Sequence, residues 1–155
     1  MNNKKELTNE DVKEKALRLL EFRNHSQFEL REKLLRYGAE PEQIDYALEF
    51  CTEYGFLNDE RYAAALARDL SNLKKYGKYR IKAELTKRGI SAEIIENVLY
   101  EVEDNSEVLE ELIKRKLKGS FEKKDTDRAI RYFIYRGYNL TDIKRAIERL
   151  KANEL

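Results

Sequence analysis

Cysteine and histidine occur once each in this chain, as Cys51 and His25, and tryptophan is absent. One thiol cannot make an intramolecular disulfide, and one thiol with one imidazole cannot assemble a Cys/His zinc site. Cys51 follows Ala47 by four residues and precedes Tyr54 by three, a helical spacing that reads as a small buried apolar residue rather than a nucleophile. His25 stands just before a helix start and reads as a solvated or capping-region histidine. Proline occurs once and glycine six times, too few for strands joined by tight turns. Strand formers are scarce as well, with four valines and five threonines, and no long stretch alternates apolar with polar residues. There is no apolar run of about 18 residues and no signal-peptide pattern, so a cytoplasmic protein without a membrane partner is expected.

Charge, by contrast, is plentiful. Of 155 residues 39% are charged, against about 25% in an average soluble domain. That balance favours helices with solvated faces, and the expected class is all-α.

An internal repeat organises those helices. ELREKLLRYGAEPEQIDYAL (29 to 48), RIKAELTKRGISAEIIENVL (80 to 99) and DRAIRYFIYRGYNLTDIKRAI (127 to 147) align on Gly38, Gly89 and Gly137. Eight residues before the glycine stand Leu30, Ile81 and Ala129; four before it stand Leu34, Leu85 and Phe133. Six after it come Ile44, Ile95 and Ile143, and ten after it Leu48, Leu99 and Ile147. The first two offsets mark one face of a helix that ends at the glycine, where a positive φ costs least. The last two mark the buried face of the next helix, capped by Glu40, Ser91 or Asn139, with Pro41 at a first helical position. Ile90 with Ile95, and Tyr138 with Ile143, stand at hydrophobic-staple spacing.

Each pair is preceded by a further amphipathic stretch. The first ends near Arg23, and Ser26 with Glu29 then forms a capping-box pattern. Tyr62, Leu66, Leu70 and Leu73 supply the apolar face of the second, and Val108, Leu112 and Leu117 that of the third. The expected architecture is three tandem three-helix repeats forming an elongated, curved helical array. Residues 1–15 would be a polar segment and the start of the first helix, followed by repeats over 16–57, 58–104 and 105–155. The first ten residues and 118–127 read as the loosest parts.

Charge is sorted along the chain although its net value is only +1. Residues 40–60 hold seven acids and 93–111 eight, with no base in either; residues 68–88 carry a local +6 and 128–151 a local +5. The blocks could pair across neighbouring helices and leave a mixed surface. Alternatively, Lys74, Lys75, Lys78, Arg80, Lys82, Lys87 and Arg88, with Arg131, Arg136, Lys144, Arg145 and Arg149, form a basic stripe toward a polyanion such as single-stranded DNA. Tyr76 and Tyr79 lie in YGKYR, where they either pack at a helix junction or stack on bases.

No GxxxxGK[ST], GxGxxG or GxSxG occurs, so nucleotide hydrolysis and serine-hydrolase chemistry lack their usual handles. In GFLNDERYA (55 to 63) the crowded polar residues also have structural readings. Gly55 ends one helix, Asn58 caps the next, and Asp59 and Glu60 meet the positive end of its dipole. Adjacent side chains on a helix diverge by about 100° and do not converge on one substrate atom. Leu57 and Tyr62 occupy the staple positions, leaving Arg61 free for a partner. The stretch reads as a junction between repeats, and no enzyme activity or cofactor is expected.

SQFELREKLLRYG (26 to 38), LNDERYA (57 to 63) and GKYRIKAELTKRGI (77 to 90), in that order, give most of the chain a sequence that resembles the RecX family of regulators of the RecA recombinase. The resemblance implies tandem three-helix repeats. It also implies binding to RecA and its filaments on single-stranded DNA, and restraint of recombinase ATPase and strand exchange without chemistry of its own. Direct contact with single-stranded DNA is a further candidate; no membrane or metal enters. Two other readings of the residues stay open: a stand-alone helical DNA-binding module of helix-turn-helix type, and a non-catalytic helical scaffold for other proteins.

Overall fold

A computed structural model describes residues 6–103 and 106–154. The described residues form nine α-helices and no strand: α1 (Asn9–Phe22), α2 (Gln27–Tyr37), α3 (Pro41–Glu53), α4 (Asp59–Asn72), α5 (Lys78–Lys87), α6 (Ala92–Glu101), α7 (Ser106–Leu117), α8 (Lys123–Tyr135) and α9 (Leu140–Asn153). The all-α expectation holds. Residues 1–5 of the polar start lie outside the described residues. Thr8 already caps α1, exchanging hydrogen bonds with Asp11. The stretch expected to be loose from 118 to 127 enters α8 at Lys123.

The chain packs as two compact units, one comprising the chain up to Leu66 with Leu85–Glu96, the other Ala67–Glu84 with the chain from Asn97. In the first, α1 packs along α3 and α2 against both, burying Val12, Leu30, Leu34, Ile44, Leu48 and Cys51 among others. In the second, α7 packs along α9 with α8 against both, around Leu109, Ile113, Phe133, Ile143 and Ile147. Each fully buried Leu, Ile or Phe contributes roughly 1.5–3 kcal/mol, so these repeated positions carry the fold.

Of the twelve repeat positions only Leu99 is half-buried; the other eleven are buried. At each glycine the chain takes φ of 102°, 74° or 99°, and the next residue's N–H reaches back to the same repeat position: Ala39 to Leu34, Ile90 to Leu85, Tyr138 to Phe133. That bond closes the helix end and turns the chain into the following helix. Two of the expected apolar faces are rotated. Leu73 lies beyond the end of α4 and is exposed, while Ala63, Ala67 and Leu70 are buried. In α7 the buried stripe is Leu109, Ile113 and Leu117, with Val108 and Leu112 half-buried. The small alanines of α4 carry too little hydrophobicity to stand out in a pattern search, yet they permit close helix approach.

A second, longer-range contact recurs. In the first unit the Ser26 hydroxyl at the α2 N-terminus donates to the Arg88 carbonyl at 2.7 Å, and Gly89 lies where a Cβ would strike the Phe28 ring. In the second unit the Gly77 N–H, at the α5 N-terminus, donates to the Arg136 carbonyl at 2.9 Å, and the Tyr79 N–H to the Gly137 carbonyl at 3.1 Å. A Cβ on Gly77 would clash with the Gly137 carbonyl and approach the Tyr138 nitrogen to 2.8 Å. Ser26 and Gly77 are the same repeat position, each twelve residues before its glycine.

Around Ser26 the polar groups are tightly assigned. The Glu29 carboxylate does not close the expected capping box by bonding the Ser26 N–H. It takes Arg23 at 2.9 Å and the Tyr62 hydroxyl instead. Burial opposes its ionisation, but those two hydrogen bonds outweigh burial and hold its pKa below the usual carboxylate value. Burial, with the Glu29 contact second, pushes the Tyr62 phenol up to about 12. Asp59 accepts the Gln27 N–H at 2.8 Å, so a residue in the first turn of α4 also serves the N-terminus of α2. Asn58 accepts the Arg61 N–H at 2.9 Å. The Arg61 guanidinium donates to the Gly55 carbonyl at 2.8 Å, which corrects its reading as a free cation.

His25 is likewise corrected: only 2% of it is exposed. Its Nδ1 lies 2.9 Å from the Arg23 carbonyl and its Nε2 2.7 Å from the Lys33 ammonium. Lys33 can only donate, so Nε2 must accept and Nδ1 carries the proton. Burial, then the Arg23 and Lys33 charges, lower its pKa from the ordinary 6.5.

Two measurements check this account. Gly77→Ala should destabilise the protein by about 2–3 kcal/mol through backbone displacement alone. Gly55→Ala, whose φ is 75° but whose surroundings are open, should cost about 1 kcal/mol; equal urea midpoint shifts would refute the close contact. Because His25 binds its proton more weakly folded than unfolded, its stabilising contribution is complete above about pH 6.5 and is lost as pH falls toward the lowered folded value. The stability gap between wild type and His25→Gln should therefore shrink between pH 7 and pH 5. A constant gap would contradict the neutral buried imidazole.

Candidate functional site

Cys51 is fully buried, and burial pushes its thiol pKa up, which suits packing better than attack. Among the described residues no three His, Cys, Asp or Glu side chains come together as a metal site. The candidates that the sequence offers are charge and aromatic surface.

The basic residues singled out in the sequence divide by their contacts. Arg80 is half-buried: Nε meets Glu84 at 3.1 Å and one Nη donates to the Tyr135 carbonyl at 3.3 Å. Arg136 donates to the Lys74 carbonyl, the Tyr138 hydroxyl donates to the Lys75 carbonyl at 2.6 Å, and Arg149 pairs with Glu110 at 3.4 Å. Arg88 is half-buried and its carbonyl is taken by Ser26. Lys82 is exposed. The side chains of Lys74, Lys75, Lys78, Lys87, Arg131, Lys144 and Arg145 are exposed and make no ion pair among the described residues. Lys87 and Arg88 belong to the first unit and the other ten to the second. Lys74, Lys75, Tyr76, Arg80 and Arg136 come together, while Lys144 and Arg145 lie on the solvent side of α9, away from its buried Ile143, Ala146 and Ile147.

The ring of Tyr76 is engaged within the protein by two cations. The Arg80 and Arg136 guanidiniums each sit 4.8 Å from its ring centre. The stack continues in both directions: Arg80 also covers Tyr135 at 4.8 Å, Arg136 covers Tyr132 at 5.7 Å, and Lys116 covers Tyr132 at 3.9 Å. Cation and ring alternate through six residues, an arrangement in which each ring's negative face meets a positive charge. Tyr76 is thus already committed to contacts within the protein, whereas Tyr79 remains 64% exposed. Beside it a cleft of about 280 Å³ is lined by Tyr76, Lys78, Tyr79, Glu103, Tyr138 and Asp142 among others. Lys116, Arg128, Tyr132 and Tyr135 were not singled out from the sequence. The signal was present in the 114–118 run KRKLK and in the helical spacing of residues 128, 131, 132 and 135.

Sequence models describe residues 13–51 as the first three-helix domain of RecX and residues 58–99 as the second. The chain is 34% identical over 138 residues to the regulatory protein RecX of Vibrio vulnificus (strain CMCP6), covering 87% of this chain and 90% of that one. It is 33% identical over 162 residues to the regulatory protein RecX of Clostridium perfringens (strain SM101 / Type A), covering 97% and 75%. The crystal structure of RecX from Lactobacillus salivarius superposes with a TM-score of 0.83 at 20% identity over 93% of this chain and 97% of that one. At that identity the match speaks for the fold.

The division of the basic residues predicts divergent effects on stability. Arg136→Ala, which removes a backbone hydrogen bond and two ring contacts, should cost about 1–2 kcal/mol. Lys74→Ala and Lys78→Ala should stay within about 0.5 kcal/mol. Equal urea midpoint shifts for all three would contradict the assignment.

Proposed function

This chain belongs to the RecX family of regulatory proteins, and we propose that it binds RecA and RecA filaments on single-stranded DNA and inhibits recombinase ATPase and strand exchange. In that role it modulates homologous recombination, DNA repair and the SOS response in the cytoplasm. The observation that carries the reading is the family match: two consecutive RecX three-helix domains in this chain, and relatives named regulatory proteins. The physical features agree with a regulator that works by occupying a surface. The sorted cations give it electrostatic reach, the helices offer rigid faces, and no described helix is long and apolar enough to cross a membrane.

The exposed cations without ion pairs, Lys74, Lys75, Lys78, Arg131, Lys144 and Arg145, are the proposed filament-facing set in the second unit, with Lys87 in the first. Arg80, Arg136 and Arg149 act through the fold they support.

RecA ATPase on single-stranded DNA, measured with substoichiometric amounts of this protein, tests the proposal. Inhibition is expected, and changing Lys74, Lys75 and Lys78 together to Ala should raise the amount needed on the order of tenfold. No effect of the wild-type protein at any ratio would overturn the reading. Binding to a specific duplex sequence without RecA would favour a stand-alone DNA-binding module.

A further inference from the structure

We propose that the outer face of α8 is a binding track for single-stranded nucleic acid, on which Tyr135 stacks a base while Arg128 and Arg131 hold phosphates. This deepens the regulatory reading by naming the surface and ligand for direct nucleic-acid contact, and rests on it for biological context.

The first support is spacing. Arg128, Arg131, Tyr132 and Tyr135 fall at i, i+3, i+4 and i+7 of α8, opposite the buried Ala129 and Phe133, and so share one face. Arg128 and Arg131 are exposed and make no ion pair among the described residues. A helix of 13 residues spans about 20 Å, the scale of the shorter single-strand sites of about four nucleotides.

The cation–ring stack gives the second support. It ends at Tyr135, which has one face on Arg80 and is 72% exposed. A large ring held flat by a cation beneath it, with its other face in water, has already lost the freedom that stacking a base would cost. A planar, electron-rich base on a tyrosine beside guanidiniums is the stacking chemistry of sequence-tolerant single-strand binders. An acidic peptide would use the cations but not the open ring.

Backbone strain supplies the third. The positive-φ residues other than glycine among those described are Lys75 (57°) and Lys118 (51°). They stand at opposite ends of α8. Lys118 shares a groove with Arg128, and the Lys75 carbonyl is held by Tyr138, just beyond the helix. Glycine would occupy either position with less strain. A lysine kept at each end of a basic helix face fits selection for charge rather than backbone ease.

Fluorescence anisotropy of this chain with a labelled oligothymidylate, without RecA, tests the track. Binding should weaken with salt, log affinity falling by roughly 0.7 per log salt for each phosphate neutralised. Arg128→Ala with Arg131→Ala should reduce that slope by about 1.4. Tyr135→Ala should weaken binding about tenfold at fixed salt, whereas Tyr135→Phe keeps the ring and should bind as wild type. Lys75→Gly and Lys118→Gly should raise the urea midpoint and yet lower affinity, which a misfolded variant cannot do. Equal affinity for a duplex of the same length, or full binding by Tyr135→Ala, overturns the stacking site. No binding by the wild-type chain, with RecA ATPase still inhibited, overturns the track and leaves the regulatory proposal standing.

Discussion

The fold depends on one backbone geometry, the carbonyl that precedes a glycine turn and the helix N-terminus that donates to it. A glycine at positive φ frees that carbonyl from its own helix. A residue at the start of an earlier second helix then supplies a hydroxyl in one unit and an amide in the other: Ser26 for Arg88, Gly77 for Arg136. The difference in donor follows from space. A serine hydroxyl makes the bond beside Phe28, while Gly77 brings two backbones into direct contact, leaving room for no side chain. Helix burial supplies most of the favourable free energy, but it is non-directional; these bonds select which surfaces meet.

Charge is divided between support and surface around the same contacts. Glu29 holds Arg23 and Tyr62, and Asp59 holds the α2 N-terminus. Arg80 and Arg136 are consumed between tyrosine rings. Removing Glu29 would leave the half-buried Tyr62 hydroxyl without its partner, a larger penalty than the loss of one surface ion pair. The lysines that remain in solvent have no such duty and can meet a partner without disturbing the helices beneath them.

Much of the helical framework was legible in the sequence because it is local. Glycine turns, caps and the apolar offsets around Gly38, Gly89 and Gly137 all act within about ten residues. The positions read from hydrophobic size alone fared less well. In α4, Ala63 and Ala67 carry the burial expected of larger residues, and Leu73 escapes it because the helix has already ended. His25 looked solvated because nothing in the residues around it signals that its ring meets the Arg23 carbonyl on one side and Lys33, eight residues on, at the other. The basic surface was half legible: composition located the charge, but only the contacts distinguish Arg136 from Lys74. The α8 stripe is hidden from a count of net charge, which records how many bases residues 128–151 hold but not which side of the helix each one occupies.

The twelve-residue interval from Ser26 to Gly38 recurs from Gly77 to Gly89, whereas successive glycine turns lie 51 and then 48 residues apart. The interval within a second helix is rigid, since one added residue would rotate the donor by about 100° around the helix axis. A triplet copied whole would therefore carry both halves of its docking address with it, a donor at the start of its second helix and a carbonyl at that helix's end.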